Sequence, residues 1–216
     1  MIKYTFITRE NCPFCNSKDI KILGNRLNSS QGFFPNKKRG ITLSVVKCRN
    51  CNLIFSDPLP IPESVKDQYS INPSNYWSPD YFKVSDDYLQ GLIKWTKQLK
   101  LINKDSIILD IGAGIGKAMI ALEREGCKVF GIEPSETFYE MAINKMGVSK
   151  DKLKLSSIED SDFPENTFDV IYFTAVLEHL QEPSEILLKT LKWLKKDGLL
   201  FVEVPSSDWL VSKMAN

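Results

Sequence analysis

Short apolar runs alternate with amphipathic stretches along the second half of the chain. Residues 107–111 and 168–173 are runs of strand length that are mostly apolar, a pattern typical of strands buried on both faces of a parallel sheet. After the first run, residues 118–125 have apolar side chains at helical spacing and end at Gly126, a common C-terminal stop. A second strand is predicted over 128–132. This order of strand, helix and strand predicts an α/β fold.

The same alternation continues toward the end of the chain. A helix is predicted over 136–146, with Ser135 as its N-cap, followed by a short strand over 152–155. After the strand at 168–173, Pro183 opens a helix whose apolar face runs over 186–195, and a last strand is predicted over 199–204. We therefore expect one parallel sheet with helices between its strands.

A glycine-rich turn lies between the first strand and the first helix. Asp110 ends the strand, and Gly112, Gly114 and Gly116 allow positive φ angles and a close approach of backbone N–H groups to a ligand. Glu133 comes twenty-one residues after Gly112, at the end of the next strand. A carboxylate there can accept hydrogen bonds from both hydroxyls of a ribose. The stretch predicts a nucleoside-binding βαβ unit, although glycine-rich turns also occur as plain loops.

The glycine spacing indicates which nucleoside is bound. Dinucleotide-binding turns follow G-x-G-x-x-G, and Lys117 occupies the place of the third glycine here. The run from Asp110 to Gly116, Asp-Ile-Gly-Ala-Gly-Ile-Gly, resembles the first motif of class I S-adenosylmethionine (SAM)-dependent methyltransferases. That resemblance implies a Rossmann-like sheet and SAM as cofactor. The cofactor contacts that it implies around this turn are Asp110, Gly112, Ala113, Gly114, Gly116, Glu133 and Pro134.

Two later stretches resemble the same family. Residues 156–169 are similar to the pattern G-D-x-E-x-L-P-F-x-x-x-x-F-D, in which an Asp contacts the adenine amino group. Ser157 stands at that position, so adenine recognition is expected to involve Ser157, the backbone of Ile158, and Glu159. The loop that begins at Thr174, also an expected cofactor contact, contains Val-Leu-Glu-His and resembles the ubiquinone-biosynthesis-like subgroup.

His179 in this loop is the candidate catalytic residue. It is the only histidine of the chain, and its loop follows the fourth strand at the edge where ligands bind in open α/β sheets. A general base is needed only when the acceptor must lose a proton. The alternative is that His179 packs against or caps the next helix. Some relatives bind a divalent ion through Glu-x-x-Glu-His, but Ala175 occupies the first Glu position here, so that site is not expected.

Four cysteines form two C-x-x-C turns near the start of the chain. Cys12 and Cys15 are separated by thirty-two residues from Cys48 and Cys51, which is typical of a structural four-cysteine zinc ribbon. The alternative is a redox pair, because Cys-Pro-Phe-Cys is also similar to a glutaredoxin motif. Such a motif would lie near a βαβ pattern, and it leaves the second pair unexplained. Ribbon strands are predicted over 41–47 and 53–55, and the fifth cysteine, Cys127, is expected to be a buried thiol.

Composition and charge limit the choice of partners. The chain has 216 residues, with 43% apolar and 25% charged, as in ordinary globular proteins. It has no signal-peptide pattern and no run long enough to span a membrane, so we expect a cytoplasmic protein without membrane contact. Residues 1–57 have ten Lys and Arg against three Asp and Glu, a net +7, whereas the remainder is −6. The run Lys37–Arg39 is either a solvated surface or part of a phosphate-binding patch.

These features divide the chain into three parts. Residues 1–57 form the expected zinc ribbon, 58–104 a proline-rich linker and helical lid, and 105–216 the SAM-binding domain. Aromatic side chains of the lid either pack on the sheet or face the cofactor, and Tyr76, Trp77 and Tyr81 are the candidates for the second role. Only twelve residues follow Val204, so the antiparallel hairpin that normally ends class I methyltransferases is expected to be missing. Either the chain is truncated, or the ribbon, the lid or a second chain covers the open edge of the sheet.

The expected function is methyl transfer from SAM to a small, phosphate- or nucleotide-linked metabolite, for which zinc-ribbon sugar methyltransferases are the architectural precedent. One alternative is an RNA methyltransferase whose basic ribbon holds the phosphate backbone, although zinc-ribbon ribosomal RNA methyltransferases have a different cysteine spacing. Another is a non-catalytic SAM-binding module that docks on a protein through the ribbon. The acceptor atom and the oligomeric state are left open.

Overall fold

The computed structural model describes residues 4–28, 41–62, 79–98 and 102–205. Several features singled out in the sequence lie outside these residues: the basic run Lys37–Arg39, the lid aromatics Tyr76 and Trp77, and positions 206–216. Within the described ranges, no helix is both long and apolar enough to cross a membrane.

The N-terminal part consists of short antiparallel strands. They are β1 (Tyr4–Ile7), β2 (Ile20–Asn28), β3 (Ile41–Cys48), β4 (Ile54–Asp57) and β5 (Leu59–Pro62). Strand β3 pairs with β2 on one side and with β4 on the other, which confirms the predicted hairpin across the second cysteine pair. The proline-rich residues of β5 are extended, as expected of a connector, and they also pair with β1. The pairing of β1 with β5 was not predicted.

The C-terminal part is a parallel sheet with helices on its faces, as the alternation of elements predicts. Its elements are α1 (Gln90–Gln98), β6 (Ile107–Ile111), α2 (Lys117–Arg124), β7 (Lys128–Glu133), α3 (Glu136–Asn144), β8 (Leu153–Leu155), β9 (Phe168–Thr174), α4 (Pro183–Trp193) and β10 (Leu194–Glu203). The strand order is β10-β9-β6-β7-β8, and every adjacent pair is parallel. This is the Rossmann-like class I methyltransferase sheet that the sequence led us to expect. No antiparallel strand joins it within the described residues.

Helix α4 and strand β10 differ from the boundaries predicted from sequence. The helix begins at Pro183, whose fixed φ suits a first helical position, and it ends at Trp193 rather than at residue 195. Leu194 already pairs with Phe168 of β9, and the register shifts before pairing resumes at Leu199. The polar run Lys195–Gly198, which suggested the boundary, lies inside β10, whereas the actual boundary falls between the apolar residues Trp193 and Leu194.

Two clusters of buried side chains cover the two faces of the sheet. Alternate residues of β6 divide between them, with Ile108 in one cluster and Leu109 in the other. The first includes α2 residues such as Met119, and Cys127 is buried there as expected. In the second, the ring of Trp193 from α4 lies 5.1 Å from that of Phe163. At the carboxyl edge of this sheet, β6 lies between β7 and β9 at the point at which the strand order reverses.

Candidate cofactor and metal sites

The glycine turn after β6 has the backbone conformation that its sequence predicts. Gly112, Gly114 and Gly116 have φ of +68°, +57° and +77°, in the left-handed region that favours glycine. A Cβ on Gly112 would lie 2.5 Å from Val176 Cγ2, so the loop after β9 packs directly on the turn. The turn is fixed to β7, because the N–H groups of Gly112 and Ala113 both donate to Ile132 O, at 2.9 and 3.0 Å.

Glu133 connects the end of β7 to the glycine turn. Its side chain is buried, with Oε2 accepting from Gly114 N and Oε1 from Ser135 N, each at 2.8 Å. Burial raises the pKa of this carboxyl to about 6 even though both hydrogen bonds lower it. A carboxylate offers about four lone-pair positions, so each oxygen retains one for a further donor such as a ribose hydroxyl. Pro134 follows at the same edge.

Asp110 places a second carboxyl group beside Glu133. It lies one residue before the end of β6, the strand next to β7, and is 3% exposed. Burial raises the pKa of Asp110 to about 7, and repulsion from Glu133 adds to the increase. Two desolvated carboxyl groups at adjacent strand ends favour a bound cation, because a nearby positive charge stabilises their ionised forms.

Three side chains that the motifs did not bring together lie beside this turn. The Lys117 ammonium group is 4.9 Å from the ring centre of Tyr81 and 4.5 Å from that of Tyr88. Burial raises the pKa of Tyr81, and the charge of Glu133 contributes to that increase. For Tyr88, burial followed by Asp110 raises the pKa to about 12. Tyr81, in a 3-10 helix over Pro79–Phe82, is thus the described lid candidate that lies near the predicted cofactor residues.

Sequence reasoning noted Lys117 only because it replaces a glycine of the dinucleotide motif. Its aromatic partners belong to a segment about thirty residues earlier, where Tyr81 was a lid candidate but nothing in the pattern distinguishes Tyr88 from neighbouring aromatics. The contact of Lys117 with these rings forms only when the distant segments fold together. The sequence alone showed only a lysine directly after a glycine turn.

The loop after β8 is held by its own hydrogen bonds. Ser157 Oγ donates to Asp160 Oδ2 at 2.9 Å and accepts from Asp160 N at 3.2 Å. The side chain of Ile158 is buried, and Lys189 of α4 donates to the carbonyl oxygens of Ile158 and Glu159, at 3.2 and 2.9 Å. These bonds fix the backbone of the segment that was predicted to recognise adenine. The hydroxyl of Ser157 is directed to Asp160, which places a carboxylate beside the position where the family has Asp.

The loop after β9 carries His179. Thr174 ends the strand, and His179 ends a 3-10 helix over Leu177–His179 with its side chain 51% exposed. Its Nε2 atom lies 4.0 Å from Glu178 Oε1, and its backbone N–H donates to Val176 O at 2.9 Å. Since Val176 also packs on Gly112, this loop lies next to the glycine turn.

The four cysteines of the two C-x-x-C turns come together in space. Their sulfur atoms all lie within 4.8 Å of one another. The Sγ atoms of Cys12 and Cys51 are 3.6 Å apart, as are those of Cys15 and Cys48. Disulfide sulfurs would be about 2.05 Å apart, whereas four thiolates about 2.3 Å from one zinc ion have separations of about 3.8 Å. The near contacts also join the two turns instead of closing within one, as a C-x-x-C redox pair would.

The polar surroundings of Cys15 suit a metal-binding thiolate. The Asn50 amide donates to Cys15 Sγ at 3.4 Å. That bond, followed by one from the backbone of Ser17, lowers the pKa of Cys15 to about 6. Cysteine binds metals as the thiolate, the form that these hydrogen bonds stabilise. The donor set and its spacing therefore fit a tetrahedral ion.

Comparison with known proteins agrees with this arrangement of sheet and turn. The chain is 32% identical over 123 residues to the phosphoethanolamine N-methyltransferase of Plasmodium falciparum (isolate 3D7), an alignment covering 55% of this chain and 46% of the relative. It is 30% identical over 106 residues to a ubiquinone biosynthesis O-methyltransferase of Bradyrhizobium diazoefficiens, covering 47% of this chain and 41% of the relative. The chain thus spans less than half the length of these two curated relatives.

Among solved structures, the chain is similar to the YcgJ protein of Bacillus subtilis, with a TM-score of 0.49, 22% identity, and coverage of 61% of this chain and 57% of that one. The family model described as a methyltransferase domain matches residues 86–216. Because this match extends over more than half of the chain, the protein belongs to the methyltransferase-domain family.

Proposed function

We propose that the protein is a SAM-dependent methyltransferase that acts on a small, phosphate- or nucleotide-linked, sugar-like metabolite. The observation that carries the proposal is the pairing of the positive-φ glycine turn with the buried carboxylate of Glu133. The turn and Glu133 lie at the carboxyl ends of adjacent strands β6 and β7, and the Gly114 N–H joins them. Together they form a binding site for a nucleoside that has a short charged chain.

Each predicted contact has a role in this proposal. The methionine part of SAM lies over Gly112–Gly116, its ribose on Glu133 beside Pro134, and its adenine against Ser157, Ile158 and Glu159. Asp110 provides negative charge for the cationic end of the cofactor, and Thr174 borders the methyl position. When bound, SAM supplies a methyl group attached to a sulfonium. The sulfur leaves as a neutral thioether, so the leaving group needs no further activation. The residues of the chain must then hold the acceptor in line with that methyl at close range.

His179 is the proposed general base for an acceptor that must lose a proton. Its half-exposed imidazole, on the loop that packs against the glycine turn, is accessible to an acceptor from solvent. An acceptor that is already nucleophilic, such as an uncharged amine, would need only the alignment.

Two observations support a phosphate-bearing acceptor. Residues 1–57 have a net charge of +7, of which a metal centre of four thiolates and one divalent ion, with charge −2, offsets only part. The Plasmodium relative is named for phosphoethanolamine, a small phosphate ester. Positive charge on the ribbon would draw such an anion toward the domain that binds SAM.

We also propose that Cys12, Cys15, Cys48 and Cys51 bind one structural zinc ion. The support is the separation of their sulfurs and the short distances that join one turn to the other. A ribbon of this size has too small a core for stability without such a cross-link, so the metal would hold the two turns together.

Calorimetry with S-adenosylhomocysteine (SAH) tests the cofactor assignment. Replacing Glu133 with Ala removes a charge-assisted acceptor and should weaken SAH binding by roughly 1.5–3 kcal/mol. Glu140→Ala, on the exposed side of α3, is the matched control and should leave SAH affinity unchanged. Unchanged SAH binding in Glu133→Ala, or preferential binding of NAD by the natural protein, would contradict the assignment.

Methyl transfer from tritiated SAM then tests the acceptor class. The panel contains nucleotide sugars, phosphoethanolamine and total RNA. Label in a small phosphorylated compound supports the proposal, whereas salt-sensitive labelling of RNA would instead favour an RNA methyltransferase. SAM binding without transfer to any acceptor would favour a non-catalytic SAM-binding module.

A further inference from the structure

Arg9 connects the cysteine ribbon to the loop that carries His179. It follows β1, and its backbone N–H donates to Asp57 Oδ1 at 2.9 Å, which fixes it to the end of β4. Its side chain is only 16% exposed. The Nη2 atom donates to Gln181 O at 2.7 Å and to Glu182 Oε1 at 2.8 Å, across a separation of more than 170 residues.

Apart from its bonds to Arg9, the loop between β9 and α4 is anchored at its beginning. There the Ala175 N–H donates to Glu203 O at 2.9 Å, and Val176 packs on Gly112. At the other end Glu182 occupies the N-cap position of α4, but its side chain makes no capping hydrogen bond and binds Arg9 instead. His179 lies between these two anchors, so its position depends on both.

We propose that Arg9 is a positioning residue that fixes the His179 loop relative to the glycine turn. This inference rests on the proposed function, since it gives the ribbon a role in aligning the acceptor side of the methyl-transfer site. A second contact supports it: Ser184 Oγ of α4 lies 3.5 Å from the carbonyl oxygen of Pro13, within the first C-x-x-C turn. The turn held by the cysteines thus contacts the same end of the loop.

Because of where Arg9 makes its contacts, the position of the His179 loop can be tested independently of cofactor affinity. Among the described residues, Arg9 forms hydrogen bonds with Asp57, Gln181 and Glu182, none of which belongs to the glycine turn. Loss of the Arg9 side chain should therefore release the far end of the loop while the predicted SAM contacts keep their geometry. If Arg9 contributed only to folding of the ribbon, its replacement would leave the hydrogen bonds of the His179 loop unchanged.

Hydrogen exchange measured by NMR tests this prediction without knowledge of the acceptor. The His179 and Leu180 amides donate to Val176 O and Leu177 O, so their exchange reports opening of the 3-10 turn. In Arg9→Ala both amides should exchange roughly tenfold faster, the scale of one charge-assisted hydrogen bond. The imidazole resonance of His179, the only histidine, should shift, while SAH affinity stays within about twofold of that of the natural protein.

Three further variants sharpen the comparison. Arg49→Ala is the matched control, because Arg49 is another ribbon arginine whose ion pair, with Asp19 at 3.6 Å, is exposed. It should leave loop exchange unchanged. Arg9→Lys keeps the charge but not the fork of donors, so it should give a partial effect. Glu182→Gln weakens the ion pair and keeps the bond to the Gln181 carbonyl, so it should also be partial.

The proposal is overturned if Arg9→Ala leaves the exchange of both amides unchanged. If Arg9→Ala unfolds the ribbon, fast exchange in β2 and β3 will show it. In that case the exchange of the loop amides in Glu182→Gln is the deciding measurement, because Glu182 lies outside the ribbon. Faster loop exchange in that variant supports the proposal, and unchanged exchange refutes it. Failure of the natural protein to bind SAH would refute the proposed function alone, since the exchange comparison needs no cofactor.

Discussion

Replacing Asp110 with Asn should change how the stability of the protein depends on pH. The Asp110 carboxyl is buried at the end of β6, and burial, with repulsion from Glu133, raises its pKa from 3.8 to about 7. Asn has nearly the same shape and no charge. The variant therefore removes the cost of ionising this group inside the protein.

The sign and the size of the effect follow from proton binding. A carboxyl with a raised pKa in the folded protein holds a proton at pH values where the unfolded chain has lost it, so the free energy of unfolding decreases as the pH rises from 3.8 to about 7. Each pH unit well inside that range costs about 1.36 kcal/mol, and the slope decreases as the pH approaches 7, which gives about 2 kcal/mol between pH 5 and pH 7 and little further change above pH 7. Asp110→Asn should gain that stability relative to the natural protein.

Urea denaturation at pH 5, 6, 7 and 8 measures this difference without ligand. Asp105→Asn is the matched control, because Asp105 precedes the other end of β6 and its side chain is 79% exposed. SAH and SAM titrations over the same range add a second measure, since a cationic ligand should bind more tightly as Asp110 ionises. If the unfolding free energies of Asp110→Asn and the natural protein stay parallel from pH 5 to pH 8, the account of Asp110 as a buried charge is wrong.

Three other predictions concern the metal, the base and the turn. Purified protein should contain about one zinc per chain by elemental analysis, and Cys48→Ser should release it and unfold the ribbon; metal-free protein with paired disulfides would contradict this. His179→Ala should lower turnover by about 10² or more at nearly unchanged SAM affinity if the acceptor must lose a proton, whereas a parallel loss of thermal stability would indicate a structural role. Gly112→Ala should lower thermal stability and SAH affinity together, because its Cβ would lie 2.5 Å from Val176 Cγ2 at a φ of +68°; wild-type values for both would show that the turn is not packed as described.

The parts of the fold that could be predicted from sequence are those determined by neighbouring residues. Apolar runs of strand length gave β6 and β9, and the glycines at 112, 114 and 116 gave the turn, because each depends on local periodicity or backbone freedom. The closeness of the four cysteines was also predictable, since two C-x-x-C turns are a known metal-binding spacing.

The features that could not be predicted depend on contacts between distant segments. The Lys117 ammonium group contacts the rings of Tyr81 and Tyr88, and the Arg9 side chain binds Glu182. No periodic pattern or recognised motif spacing in the sequence indicates either set of contacts. The bonds that Glu133 accepts from the Gly114 and Ser135 N–H groups were missed for another reason: the motif indicates a carboxylate but not that it also supports the turn. The roles of individual site residues in methyl transfer stay predictions until the variants above are measured.

The pairing of β1 with β5 decides how the N-terminal part could be separated from the rest as an independent unit. Tyr4 pairs with Pro62 and Ile7 with Leu59, so the first described strand has its partner beyond Asp57. A recombinant fragment that stops at Asp57 would leave β1 without that partner and expose Phe6 and Ile7 further, whereas one that continues through Pro62 keeps the pair intact. A fragment of the cysteine ribbon that is meant for study alone or for fusion to another enzyme should therefore extend through Pro62.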